Sequence, residues 1–131
     1  MEITIVREEY RIPVTTFLIK GRINLTWSPI IEEKAQEEYD NGTRQLIIDL
    51  SFVDSITSRG LTAILSIYKM LLDDSKTGDP AIAHHHNEAE IKISKLVLVN
   101  PQTHVKDVLR ISGFDKYIPI FEERQEAIEY F

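Results

Sequence analysis

Leu46-Ile47-Ile48-Asp49-Leu50-Ser51-Phe52-Val53-Asp54-Ser55-Ile56-Thr57-Ser58-Arg59-Gly60-Leu61 carries an apolar run directly into a cluster of hydroxyl residues. Leu46-Ile47-Ile48 lacks the alternation of a half-exposed strand, and a strand apolar on both faces belongs in the centre of a sheet covered on both sides. The strand is read over Leu46 to Leu50. From Leu61 onward, Leu61, Ile64, Leu65, Tyr68, Leu71 and Leu72 recur at helical spacing, which predicts a helix packed on that sheet. Ser55, Thr57 and Ser58 then stand at the mouth of this helix, at the carboxyl end of the central strand, where open α/β sheets place their sites. Unpaired amides and the positive end of the macrodipole would stabilise a phosphate carried on a hydroxyl there. Ser58 is the hydroxyl expected to carry it, with Thr57 and Ser55 behind it. The same residues also suit plain helix capping.

On the N-terminal side, Ile3-Thr4-Ile5-Val6 and Val14-Thr15-Thr16-Phe17-Leu18-Ile19 are β-rich runs separated by polar residues and Pro13, which predicts an antiparallel pair. Ser28-Pro29 marks a helix start, serine as cap and proline in the first turn, and Asn41-Gly42 marks its end. On the C-terminal side, residues 73–94 break the pattern and are expected to form a mobile polar loop holding His84-His85-His86. Leu96-Val97-Leu98-Val99 resumes the sheet. Val105, Val108, Leu109 and Ser112 mark a short helix closed by Gly113, with Phe114 over its last turn. His104 lies in that helix as a structural or exposed residue. Tyr117 to Phe121 reads as a last short strand that Pro119 confines to an edge or bulge, and Glu122 to Phe131 as a terminal helix. The fold class is α/β: a mixed sheet of four to five strands with about four packed helices, in one domain over residues 1–131.

With 131 residues, 43% of them apolar, the chain supports one core. Lys and Arg total 15 against 21 Asp and Glu, so the net charge of -6 disfavours nucleic acid as partner. Without cysteine there are no disulfides and no thiolate chemistry. No apolar run approaches ~20 residues and the start lacks a signal-peptide pattern, so a cytoplasmic protein without membrane insertion is expected. Gly-x-Ser-x-Gly, a Walker loop, the Rossmann glycines and His-Glu-x-x-His are all missing, and the chain is read as a non-enzyme with no cofactor. Three consecutive imidazoles rarely converge on one ion, so no metal site is assigned to His84-His85-His86. Asp49 and Asp54 flank the hydroxyl cluster, Asp54 as a turn residue.

Gly21-Arg22-Ile23-Asn24, Leu46 to Leu50, Val53 to Leu61, Leu96-Val97-Leu98-Val99-Asn100 and Gly113-Phe114 together resemble the STAS domain of bacterial anti-sigma factor antagonists, over nearly the whole chain outside the histidine segment. In that family an Asp-Ser-Ser-Gly-Leu type motif carries the serine phosphorylated by a partner anti-sigma kinase, and Ser58 matches that position. Thr57 stands where the family usually has aspartate, Arg59 where it has a second small hydroxyl residue, and Asn24 where it often has aspartate. The resemblance implies partner switching. The unmodified protein would bind an anti-sigma factor that is also a serine kinase, phosphorylation would abolish binding, and a phosphatase would restore it.

Ser58, Thr62, Ser66 and Met70 lie four apart on one helical ridge, with Arg59, Ala63 and Ile67 adjoining. With Asn24, Asp54 and Thr57 these form the expected partner surface. Arg59 beside a phosphoserine suits charge-assisted bonding and equally a solvated surface. Two other readings stand beside this one: a STAS interaction subunit of a larger signalling or transport assembly that is never phosphorylated, and a small-molecule or nucleotide binder using the same helix entrance.

Overall fold

A computed structural model describes residues 2–76 and 94–131. The elements are β1 (Glu2–Glu9), β2 (Pro13–Ile23), α1 (Ser28–Asp40), β3 (Leu46–Ile56), α2 (Ser58–Lys76), β4 (Leu96–Val99), α3 (Thr103–Ile111), a 3-10 turn at Phe114–Lys116, β5 (Ile120–Phe121) and α4 (Arg124–Tyr130). The sheet order is β1-β2-β3-β4-β5, with β1 antiparallel to β2 and every later pair parallel. β3 is thus the central strand, and β5, with Pro119 before it, is an edge strand opposite β1. The sheet is mixed and has five strands, within the four to five expected from the sequence.

Both faces of β3 and β4 are covered, which explains their near-continuous apolar character. Ile48, Leu50, Leu96 and Leu98 meet Ile31 and Ala35 of α1, Ile64, Ile67 and Leu71 of α2, and Val105 and Leu109 of α3 in the larger core. Ile47, Val97 and Val99 point the other way, onto Ala127 and Ile128 of α4. Gly113 takes a φ of 82°, and the chain turns there so that Phe114 is buried at the end of α3.

Three expectations are corrected. Ser28 does not cap α1: Trp27 is the N-cap, the Asn24 side chain accepts from the amides of Thr26 and Trp27 at 3.1 and 3.2 Å, and the Ser28 hydroxyl donates to the Asn24 carbonyl at 2.6 Å. Proline does sit in the first turn, and Gly42, at φ 109°, follows the Asn41 cap. The central strand does not stop at Leu50 but continues to Ile56, so Ser55 belongs to β3. Finally, α2 continues through Lys76, past the point where the polar loop was expected to begin. The histidine segment lies outside the described residues.

Candidate functional site

β3 reaches α2 through an irregular ladder. Its register with β2 shifts between Leu18 and Lys20 and again between Gly21 and Arg22, so that Leu50-Ser51 face Ile19 alone and Asp54 is an extra residue. Each bulge re-aims the side chains that follow. The core-facing residues therefore run Ile48, Leu50, Val53, Ile56, and Asp54 is left exposed.

Thr57 then makes the turn. Its amide donates to the Ile23 carbonyl at 3.0 Å, its hydroxyl accepts from the Gly60 amide at 3.2 Å, and its carbonyl accepts from the Leu61 amide at 2.9 Å. Thr57 is the residue that caps α2, and Ser58 is the first helical residue, exposed to solvent. With the Gly60 and Leu61 amides taken, those of Ser58 and Arg59 are the first-turn amides with no carbonyl behind them. The first turn of α2 holds no acidic residue.

Gly60 lies under this turn. A Cβ there would come within 2.8 Å of both Ile23 Cγ2 and Ile56 Cγ1 and would strike the Ile23 carbonyl oxygen, so glycine lets α2 sit directly on the end of β2. Arg59 turns away from solvent: Nη2 donates to Glu32 Oε1 of α1 at 2.5 Å, with the two side chains 33% and 27% exposed. Its guanidinium is an α1–α2 tie.

The structure brings Thr57, Ser58, Thr62 and Ser66 to one exposed stripe, with the Thr62 hydroxyl donating to the Ser58 carbonyl at 3.0 Å. Asp54 is exposed at the strand tip, Ser55 is half-buried opposite Arg22, and Asn24 is half-buried and occupied in capping its own turn. Met70 is half-buried against the core. Ala63 and Ile67 do not belong to a docking surface. They are 0% and 2% exposed, because the buried face of α2 centres on Gly60, Ala63, Ile64, Ile67 and Leu71. The ridge Ser58, Thr62 and Ser66 is exposed as expected, and only its neighbours Ala63 and Ile67 turn inward.

Several residues at the site escaped the sequence reading. Asn100, Gln102 and His104 reach β3 from the segment after β4, where Gln102 Nε2 donates to the Ser51 carbonyl at 3.3 Å and His104 Nε2 bonds the Asp54 carbonyl. Leu25 and Phe52 are 72% and 56% exposed. Phe52 lines a groove of about 400 Å³ with Glu2, Lys20, Gly21, Asp54 and Gln102. Only interleaved polarity along 51–56 hinted that the strand continued, and nothing in the sequence marked the contacts from the β4 side. Among the described residues no group of three or more His, Cys, Asp or Glu could hold a metal ion, and no helix is long and apolar enough to cross a membrane.

A five-stranded mixed sheet with this helix order is the STAS fold, in the form seen in SpoIIAA. Unphosphorylated SpoIIAA, an anti-sigma factor antagonist, matches with a TM-score of 0.66 and 16% identity, over 96% of this chain and 94% of that one. The phosphorylated form of the Bacillus protein matches with a TM-score of 0.61 and 16% identity, over 96% and 97%. An anti-sigma-factor antagonist (STAS) domain protein from Planctomyces limnophilus gives 0.70 and 16%, over 98% and 97%. In sequence, the chain is 26% identical over 113 residues to BtrV of Bordetella bronchiseptica, which is named for anti-sigma factor antagonism, covering 86% of this chain and 82% of BtrV. No family model matches the chain. The resemblance to anti-sigma factor antagonists therefore holds in sequence and in fold.

Proposed function

We propose that this protein is an anti-sigma factor antagonist of a partner-switching pathway, binding an anti-sigma factor that is also a serine kinase and controlled by phosphorylation of Ser58. The observation that carries this reading is the placement of Ser58: solvent-exposed, first in α2, at the end of the central strand. The likeness to BtrV and to a protein known in both unphosphorylated and phosphorylated forms supports it.

The switch is electrostatic. Phosphorylation adds about -1.5 to -2 charge and three acceptor oxygens. At this position the helix-start amides and the macrodipole stabilise that charge, and no acidic residue in the first turn opposes it. The backbone can stay where it is while a neutral hydroxyl stripe gains a concentrated negative charge. Because Arg59 is held by Glu32, it braces the helix start rather than wrapping the phosphate. The partner surface is the stripe Thr57, Ser58, Thr62 and Ser66, with Asp54 and the Asn24 turn at its end. A phosphatase resets the system.

Incubation of the protein with anti-sigma kinases encoded in the same genome and ATP, followed by mass spectrometry, tests this. One phosphate on Ser58 is expected. Ser58→Ala should bind the kinase unmodified, and Ser58→Glu should bind at least about tenfold more weakly, a loss of roughly 1.4 kcal/mol. A kinase that binds the protein yet leaves Ser58 unmodified would instead indicate an interaction subunit without phosphorylation. Saturable nucleotide binding in calorimetry without any protein partner would point to a ligand carrier.

A further inference from the structure

β3 outruns its neighbour. It continues to Ile56, whereas β4 pairs only with Leu46 to Asp49 and ends at Val99. Beyond Asp49 the β4 side of β3 has no strand beside it, and backbone carbonyls there need donors from elsewhere. Three side chains at alternate positions after β4 supply polar contacts. Asn100 Nδ2 donates to Ser51 Oγ at 3.1 Å, Gln102 Nε2 donates to the Ser51 carbonyl at 3.3 Å, and His104 Nε2 reaches the Asp54 carbonyl. Asn100 adopts a φ of 49° while its amide donates to the Phe121 carbonyl at 2.7 Å, tying this row to the edge strand. The row substitutes for a missing strand. Its last bond falls on Asp54, the extra residue of the bulge after which the chain turns into α2.

We infer that His104 is a positioning residue for the Ser58 site. A carbonyl can only accept, so His104 presents Nε2–H, and that bond fixes the bulge from which Thr57 and Ser58 are aimed. The consequence for partner binding rests on the function proposed above; the structural coupling does not.

Amide hydrogen exchange on His104→Ala and His104→Gln, with urea denaturation to report global stability, tests the coupling. His104→Ala should accelerate exchange of the hydrogen-bonded Thr57 and Gly60 amides about two- to tenfold, the range expected for one lost hydrogen bond, while Val97 and Leu98 keep their rates. His104→Gln, whose side-chain amide can donate to the same carbonyl, should restore slow exchange. The same order should appear in affinity for the anti-sigma factor: weakened by His104→Ala and recovered by His104→Gln. Unchanged exchange at Thr57 and Gly60 in His104→Ala, or acceleration spread evenly over the sheet, would overturn the inference. A wild-type protein that binds no anti-sigma factor would instead refute the proposed function, and the exchange data alone would then decide the role of His104.

Discussion

Gly60 and Ser58 illustrate opposite constraints two positions apart. Ser58 is exposed, and a change there alters what the surface offers without disturbing the interior. Gly60 is buried against Ile23 and Ile56, and its requirement is space for two backbones in contact rather than an unusual φ. Gly60→Ala should therefore destabilise the protein by about 1–3 kcal/mol through overpacking, seen as a lower urea midpoint at unchanged slope. Ser58→Ala, measured beside it, should stay within about 0.5 kcal/mol of the parent. The hydroxyl was legible because serine ahead of an amphipathic run is a local signal. The glycine's role was not, because the backbone that needs its small size is that of Ile23, remote in sequence.

β3 and α2 show where periodicity misleads. A continuous apolar run locates Leu46 to Leu50, but both register shifts lie on the β3–β2 ladder and respace the inward residues to Leu50, Val53 and Ile56. That spacing resembles no strand, so the second half of the element went unread. On α2 the helix itself is evident, and of the face Leu61, Ile64, Leu65, Tyr68, Leu71 and Leu72 the structure buries Ile64 and Leu71, whereas Leu61, Leu65, Tyr68 and Leu72 are only partly buried. The true centre includes small residues, Gly60 and Ala63, whose burial hydropathy barely registers. The Arg59–Glu32 pair ties α1 to α2 across this face. A double-mutant cycle with Arg59→Met and Glu32→Gln should give a coupling of about 0.2–1 kcal/mol, screened partly by salt, since both side chains keep some contact with water. Zero coupling at low salt would show that α1 and α2 are held by apolar packing alone.

The order of elements was readable end to end because each apolar run is bounded by Pro, Gly, Asn or Asp signals, and sequential parallel strands joined by helices leave few arrangements. The row after β4 was not readable, since it depends on one strand being longer than its neighbour. Stability is concentrated where both faces of the sheet are covered. Leu98, fully buried in β4, should cost about 2–5 kcal/mol when replaced by alanine, whereas Leu25→Ala, at 72% exposure, should change the denaturation midpoint little.

The two bulges also make chain length between Leu50 and Thr57 a property under constraint. Removing the single residue Asp54 would take away the carbonyl that His104 holds, and beyond that Thr57 would lose its reach to the Ile23 carbonyl or drag Ile56 out of the interior to keep it. If α2 stayed seated with one residue fewer before it, each of its side chains would rotate by about 100° relative to the sheet. The remaining residues could all be kept there and the helix start still be misplaced, so the spacing of the loop-free junction carries information that no individual side chain holds.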